Sequence, residues 1–149
     1  MRERFRLSEY DGLLREVLDS GGEFRIYPRG TSMLPLLREG KDSVVLIKPL
    51  SRPNRKDIVL YQRTDGDYVL HRIIKRLPEG YIMCGDNQTV LEPGIRDKEI
   101  IGVVLRIYRG EKQVNRDGIL YRAYVFLWQF IWPRRVIHKL MNILSILKT

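Results

Sequence analysis

Between residues 23 and 115 the apolar positions come in short, often alternating runs, and glycine, proline and aspartate punctuate them. That pattern predicts strands joined by turns. Glu23 to Tyr27 reads as a first strand and Ser43 to Ile47 as a second, with the turn Glu39-Gly40-Lys41-Asp42 before it. Lys48 to Lys56, with two prolines and several charges, reads as a surface loop. Asp57 to Arg63 and Tyr68 to Arg76 form a hairpin across Thr64-Asp65-Gly66-Asp67, because Asp-Gly readily supplies the positive φ of a tight connection. Tyr81 to Cys84 follows, then the turn Gly85-Asp86-Asn87, a polar loop through Asp97, a strand from Glu99 to Tyr108 and a hairpin at Arg109 to Lys112. Hairpins in series favour a mainly β, antiparallel sheet or barrel over a βαβ fold.

Both ends change period. Ser8-Glu9-Tyr10-Asp11, followed by Leu13, Leu14, Val17 and Leu18, reads as a capped amphipathic helix stopped by Gly21-Gly22. After Pro133, apolar Val136, Ile137, Leu140, Met141, Leu144 and Leu147 recur at three- and four-residue spacing, with Arg134, Arg135, His138, Lys139, Asn142 and Ser145 on the other face. The organisation expected is a helical extension (1–22), a β-rich core (23–115) and a C-terminal amphipathic segment (116–149).

The chain has 149 residues and 44% hydrophobic content, enough for one domain with a buried core. Its net charge of +9 points to an anionic partner. A single cysteine, Cys84, excludes an internal disulfide and a cysteine-rich zinc site. No signal peptide is expected at the N-terminus. The longest apolar run, Ile119 to Trp132, is interrupted by Arg122 and Gln129 and is too short for a membrane span. The C-terminal helix has two readings: a cap on the sheet, or a basic helix on an anionic membrane through Arg134, Arg135 and Lys139, with Trp128 and Trp132 at the interface. The location expected is cytoplasmic or peripheral to a membrane.

The stretch Arg29-Gly30-Thr31-Ser32-Met33-Leu34-Pro35 carries candidate chemistry. Gly30 and Pro35 favour a bend that holds the Ser32 hydroxyl at the mouth of a cleft while Met33 and Leu34 turn inward. A serine nucleophile needs a base, a group to orient it, and donors for the oxyanion. Of the two histidines, His138 lies in the basic terminal helix, and His71 shares a strand face with Val69 and Ile73.

Ser32-Met33-Leu34-Pro35, Asp57-Ile58-Val59, His71-Arg72-Ile73-Ile74-Lys75 and Gly85-Asp86-Asn87, in this order and approximate spacing, resemble the signal-peptidase family of serine proteases. Bacterial signal peptidases and LexA-type self-cleaving proteins have lysine where this chain has His71. The endoplasmic-reticulum and archaeal branch has histidine, so the chain is similar to that Ser-His branch. The resemblance implies a mainly β peptidase core with antiparallel hairpins in a barrel-like arrangement, a Ser32 nucleophile and a His71 base. It also implies a peptide precursor bound extended, with small side chains near the cleavage point. No metal, cofactor or nucleic acid is expected. Six positions after Asp86, Glu92 matches the branch's third acid; Asp86 is the alternative, or a brace for its own turn. Relatives usually have Ser where Gly30 stands, so the oxyanion donors fall to backbone N–H groups around Ser32 and Met33, with Thr31 as helper. Pro35, Gly85 and Asn87 support the motifs. With a carboxylate raising the His71 pKa and partial burial lowering it, kcat/KM is expected to rise across roughly pH 6 to 7.5. The alternatives are a LexA-like self-cleaving module and a degenerate peptidase fold that only binds.

Overall fold

The structure, a computed structural model, describes residues 7–147, with side chains given except at 131–133, 138 and 145–147. The expectations for the first six residues, and for the side chains of Trp132, Pro133, His138, Ser145 and Leu147, lie outside the described residues. Among the described residues eight antiparallel strands form one sheet: β1 Phe24–Ile26, β2 Ser43–Ile47, β3 Ile58–Gln62, β4 Tyr68–Leu77, β5 Gly80–Cys84, β6 Glu92–Ile95, β7 Ile100–Arg109 and β8 Lys112–Gln113. Their order is β1-β2-β7-β3-β4-β5-β6, with β8 beside β7.

The hairpin from β3 to β4 closes on Gly66 at φ +95°, as the Asp-Gly pair requires. Its register sets Val59 opposite His71 and Tyr61 opposite Val69. The sheet is open and not a closed barrel. The edge strands β1 and β6 have three and four residues and sit at opposite ends of the pairing path, so nothing joins them into a ring. Register shifts in β2, β3, β4 and β5 bend the sheet without closing it. The stretch expected to be a polar loop before Asp97 contains β6. Glu92-Pro93-Gly94-Ile95 has loop composition and becomes a strand by pairing Met83 with Glu92 and Tyr81 with Ile95.

Alternate residues of β3 enter two cores. Ile58 and Leu60 join Val44, Leu46, Ile107 and the loop residues Met33, Leu36 and Leu37. Val59 and Tyr61 join Ile73, Tyr81, Met83 and Ile95. Helix α1 (Asp11–Asp19) buries Leu14 and Leu18 completely in the first cluster, so this helix is built into the same core as the strands. Its N-cap position is Tyr10, not the expected Ser8: a 3-10 turn at Leu7–Glu9 occupies that stretch.

Helices α2 (Ile119–Trp128) and α3 (Ile131–Leu147) follow, the last elements among the described residues. Among the described residues, no helix is long and apolar enough to cross a membrane. Arg134, expected on the polar face of α3, is fully buried. A guanidinium is tolerated there because the turn after β5 offers it carbonyl acceptors, described below. Trp128, expected at a membrane interface, stacks on Tyr124 with 4.7 Å between ring centroids and faces the protein.

Candidate active site

Three separate stretches meet where the hairpin register places His71. The first is the turn at residues 30–36, entered through Gly30 at φ +78° and containing a cis Leu34–Pro35 bond. Met33 is buried in the main core and anchors this turn, while Leu34 is only half-buried. The second is β4 itself. The third is the turn Gly85-Asp86-Asn87. The Asn87 N–H donates to the Ser32 carbonyl at 2.8 Å and the Asn87 side-chain amide donates to the Thr31 carbonyl at 3.0 Å. Gly85 fills the remaining gap. A Cβ at Gly85 would lie 2.5 Å from the Ser32 carbonyl oxygen and 3.1 Å from Cδ2 of His71, so only glycine lets the three segments touch.

Ser32 is half-buried, and its hydroxyl makes no hydrogen bond among the described residues. Buried side-chain polar atoms without a partner are, among the described residues, only Tyr121 Oη and Gln129 Nε2. The Ser32 hydroxyl and the second ring nitrogen of His71, Nε2, are therefore both reached by solvent. The backbone N–H groups of Ser32 and Met33 also have no acceptor among the described residues. Two donors beside one hydroxyl can stabilise an oxyanion. Thr31 contributes its backbone carbonyl, which also accepts from Leu34 N–H at 3.2 Å.

His71 is 4% exposed. Its Nδ1 lies 3.2 Å from Tyr61 Oη, and Tyr61 Oη donates to Glu92 Oε2 at 2.9 Å. Glu92 therefore reaches His71 through Tyr61 and not by direct contact, because the fully buried phenol occupies the space between them. Arg63 clamps the same carboxylate with two nitrogens, Nε to Oε1 at 2.7 Å and Nη2 to Oε2 at 2.8 Å. These bonds, Arg63 first, hold the Glu92 carboxyl below its usual range. Tyr61 and Arg63 were missed by sequence reading. The signal for Tyr61 was present: the Asp65-Gly66 hairpin fixes the register that sets it diagonally across from His71.

Burial dominates the charge balance at His71 and takes its pKa down to about 4, below the expected window. Glu92 and Asp86 push it up, while Arg63 and Arg134 push it down. With opposing charges largely offset, the loss of hydration decides the direction.

Asp86 is the brace. It is fully buried and accepts from Arg72 Nε at 2.9 Å, Arg72 Nη2 at 2.8 Å and Tyr124 Oη at 2.7 Å. Its backbone carbonyl accepts from Trp128 Nε1 at 2.5 Å. Arg134 Nη1 donates to the carbonyls of Gly85 at 3.0 Å and Gln88 at 3.1 Å and touches Cys84 Sγ at 3.1 Å. Its Nε donates to the Trp128 carbonyl at 2.8 Å, tying α3 to α2. The C-terminal helices thus clamp the turn that supports Ser32. Among the described residues no cluster of His, Cys, Asp and Glu could hold a metal ion. No protein-family model, curated protein or solved structure matches the chain.

Proposed function

We propose that this protein is a serine endopeptidase of signal-peptidase type, with Ser32 as nucleophile and His71 as general base, acting on leader or signal segments of peptide precursors. The observation that carries the reading is the convergence at Gly85. The Ser32 turn, the His71 ring and the Gly-Asp-Asn turn, far apart in sequence, pack so closely that no side chain fits between them.

The chemistry follows from the groups present. Ser32 Oγ attacks the scissile carbonyl while His71 Nε2 takes the hydroxyl proton. The Ser32 and Met33 N–H groups receive the oxyanion. His71 then returns the proton to the leaving amine, and a water, deprotonated in the same way, releases the acyl group and restores Ser32. The outer edge of β1 has no partner among the described strands, and this strand leads into the Ser32 turn. An extended peptide can add along it through main-chain hydrogen bonds.

The same reading places the outer face of α3 on an anionic membrane. Leu140, Met141 and Leu144 are each more than half exposed, beside exposed Arg135 and Lys139, and no Asp or Glu follows Asp117 in the sequence. Apolar exposure with positive charge alone suits anionic lipid.

The test is cleavage. Purified full-length protein is incubated with the precursor peptides encoded beside its gene, and products are read by mass spectrometry. Ser32→Ala should lose cleavage and keep its fold, since one solvent-reached oxygen is removed. Undiminished cleavage by a folded Ser32→Ala protein ends the reading. The protein's own mass shows whether it cuts itself, which the LexA-like alternative requires.

A further inference from the structure

The chain Arg63–Glu92–Tyr61–His71 fixes more than a position. Tyr61 Oη has a single hydrogen. The Glu92 carboxylate, clamped by both Arg63 nitrogens, has acceptor oxygens only, so the 2.9 Å contact between Oη and Oε2 consumes the phenol's hydrogen. The phenol oxygen then has only lone pairs to offer Nδ1 of His71 at 3.2 Å. Nδ1 must carry the ring's hydrogen, which leaves the Nε2 lone pair on the edge that solvent reaches.

We propose that Tyr61 is a positioning residue that locks neutral His71 as the Nδ1–H tautomer by relaying the Glu92 carboxylate. The tautomer follows from the hydrogen-bond inventory alone; its catalytic consequence rests on the Ser32–His71 reading. In a Ser-His-acid triad the carboxylate touches the imidazole directly and selects this tautomer. Here a phenol is interposed. The carboxylate stays at the sheet edge, at the start of β6, while the ring is almost fully buried. The arrangement keeps a full negative charge out of contact with the ring and still orders its hydrogen. Other charged groups facing His71 are Asp86 and Arg134, both committed to the 84–88 turn, and neither makes a hydrogen bond to the ring.

The experiment is nitrogen NMR of the imidazoles in full-length protein at pH 7.5, with His71 assigned through a His138→Gln variant. The expected spectrum has Nδ1 of His71 protonated and Nε2 bare. Tyr61→Phe should shift the population to Nε2–H, the form favoured by free imidazole side chains. Its kcat should fall at least about tenfold, within the roughly 10²–10⁴-fold that a general base supplies, with KM little changed. Because Tyr61 is buried and its replacement can disturb folding, Glu92→Ala provides a second reading at a half-buried site. Freed from the carboxylate, Tyr61 turns its hydrogen to Nδ1 and forces the Nε2–H form. A wild-type Nε2–H tautomer, or Nδ1–H retained in Glu92→Ala, overturns the proposal. The tautomer is read without substrate, so failure of the peptidase reading in Ser32→Ala leaves this result standing, and the reverse also holds.

Discussion

Acidification is the perturbation that probes His71 most directly. The imidazole has an ordinary pKa near 6.5 in the unfolded chain and about 4 in the fold, where burial disfavours its charged form. Between those values the unfolded chain binds a proton that the folded chain does not. Stability therefore falls as pH drops through this window; it is fully present above about 6.5 and loses nothing further from His71 below about 4. Integrating the two titrations from pH 7.5 to 4.5 gives a loss of about 2.5 kcal/mol, an appreciable fraction of a domain's total. Carboxylates with depressed values, Asp42 at about 2 beside Arg38 and Glu92 below its usual 4.5, begin to lose their contribution only near the lower end of this window. The assay is urea unfolding at pH 7.5 and 4.5 for wild type and His71→Asn, whose amide nitrogen stands near Nδ1 and can still donate to Tyr61. The variant's stability should depend less on pH by about 2.5 kcal/mol, and an equal dependence in both proteins refutes a buried neutral His71. For the proposed peptidase, kcat/KM should be level from about pH 5.5 to 8, with its acid limb below about pH 5; a limb at pH 6 to 7.5 refutes the low value.

Two further outcomes test the site's frame and its surface. Gly85→Ala pushes a Cβ into the Ser32 carbonyl, a backbone atom that cannot swing aside, so Ser32 must move. Cleavage should fall by at least tenfold, on the reasoning that about 1 Å of misplacement costs roughly 10²-fold, and the bond from Asn87 N–H to Ser32 should show as faster amide exchange. Wild-type cleavage by Gly85→Ala would mean that the contact does not position Ser32. Leu140→Asn with Leu144→Asn should reduce sedimentation with phosphatidylserine vesicles and leave soluble-peptide cleavage intact; unchanged sedimentation removes the membrane role of α3. Cutting the chain before Pro133 is a poor substitute, because it also removes Arg134 and releases the 84–88 turn.

What the sequence disclosed followed local rules. Asp65-Gly66 set a hairpin, the hairpin set a register, and the register put Val69, His71 and Ile73 on one face with Tyr61 beside them. Gly30 and Gly85 marked a bend and a close approach that only glycine satisfies. What stayed hidden depended on partners distant in the chain. Nothing in Glu92-Pro93-Gly94-Ile95 favours a strand until β5 lies alongside, so the path from Glu92 to His71 through Tyr61 had no local signature. Arg134 sits on the polar side of a helical wheel, and the carbonyls of residues 85, 88 and 128 make its burial tolerable. Barrel closure is a property of two edge strands meeting, which no single strand's pattern encodes.

The two buried arginines explain how a turn rich in glycine and polar residues can serve as a rigid support. Arg72 and Arg134 are both fully buried, and both spend their donors on residues 84–88 or on groups that brace them. Burying a guanidinium costs several kcal/mol unless its donors are met, and an ion pair such as Arg72–Asp86 roughly offsets its own desolvation instead of adding net stability. An apolar core of the same volume would stabilise the fold as well or better, but it would take the guanidinium donor away from the carbonyls of Gly85 and Gln88. The fan of donors from Arg134 fixes where those carbonyls point, and the Arg72–Asp86–Tyr124 network fixes the peptide between them. Asn87 then presents its N–H to Ser32 at one distance and one angle. Arg134 and Tyr124 come from the C-terminal helices and Arg72 from β4, the strand that carries His71. His71 and the turn that supports Ser32 are thereby held by one connected set of bonds.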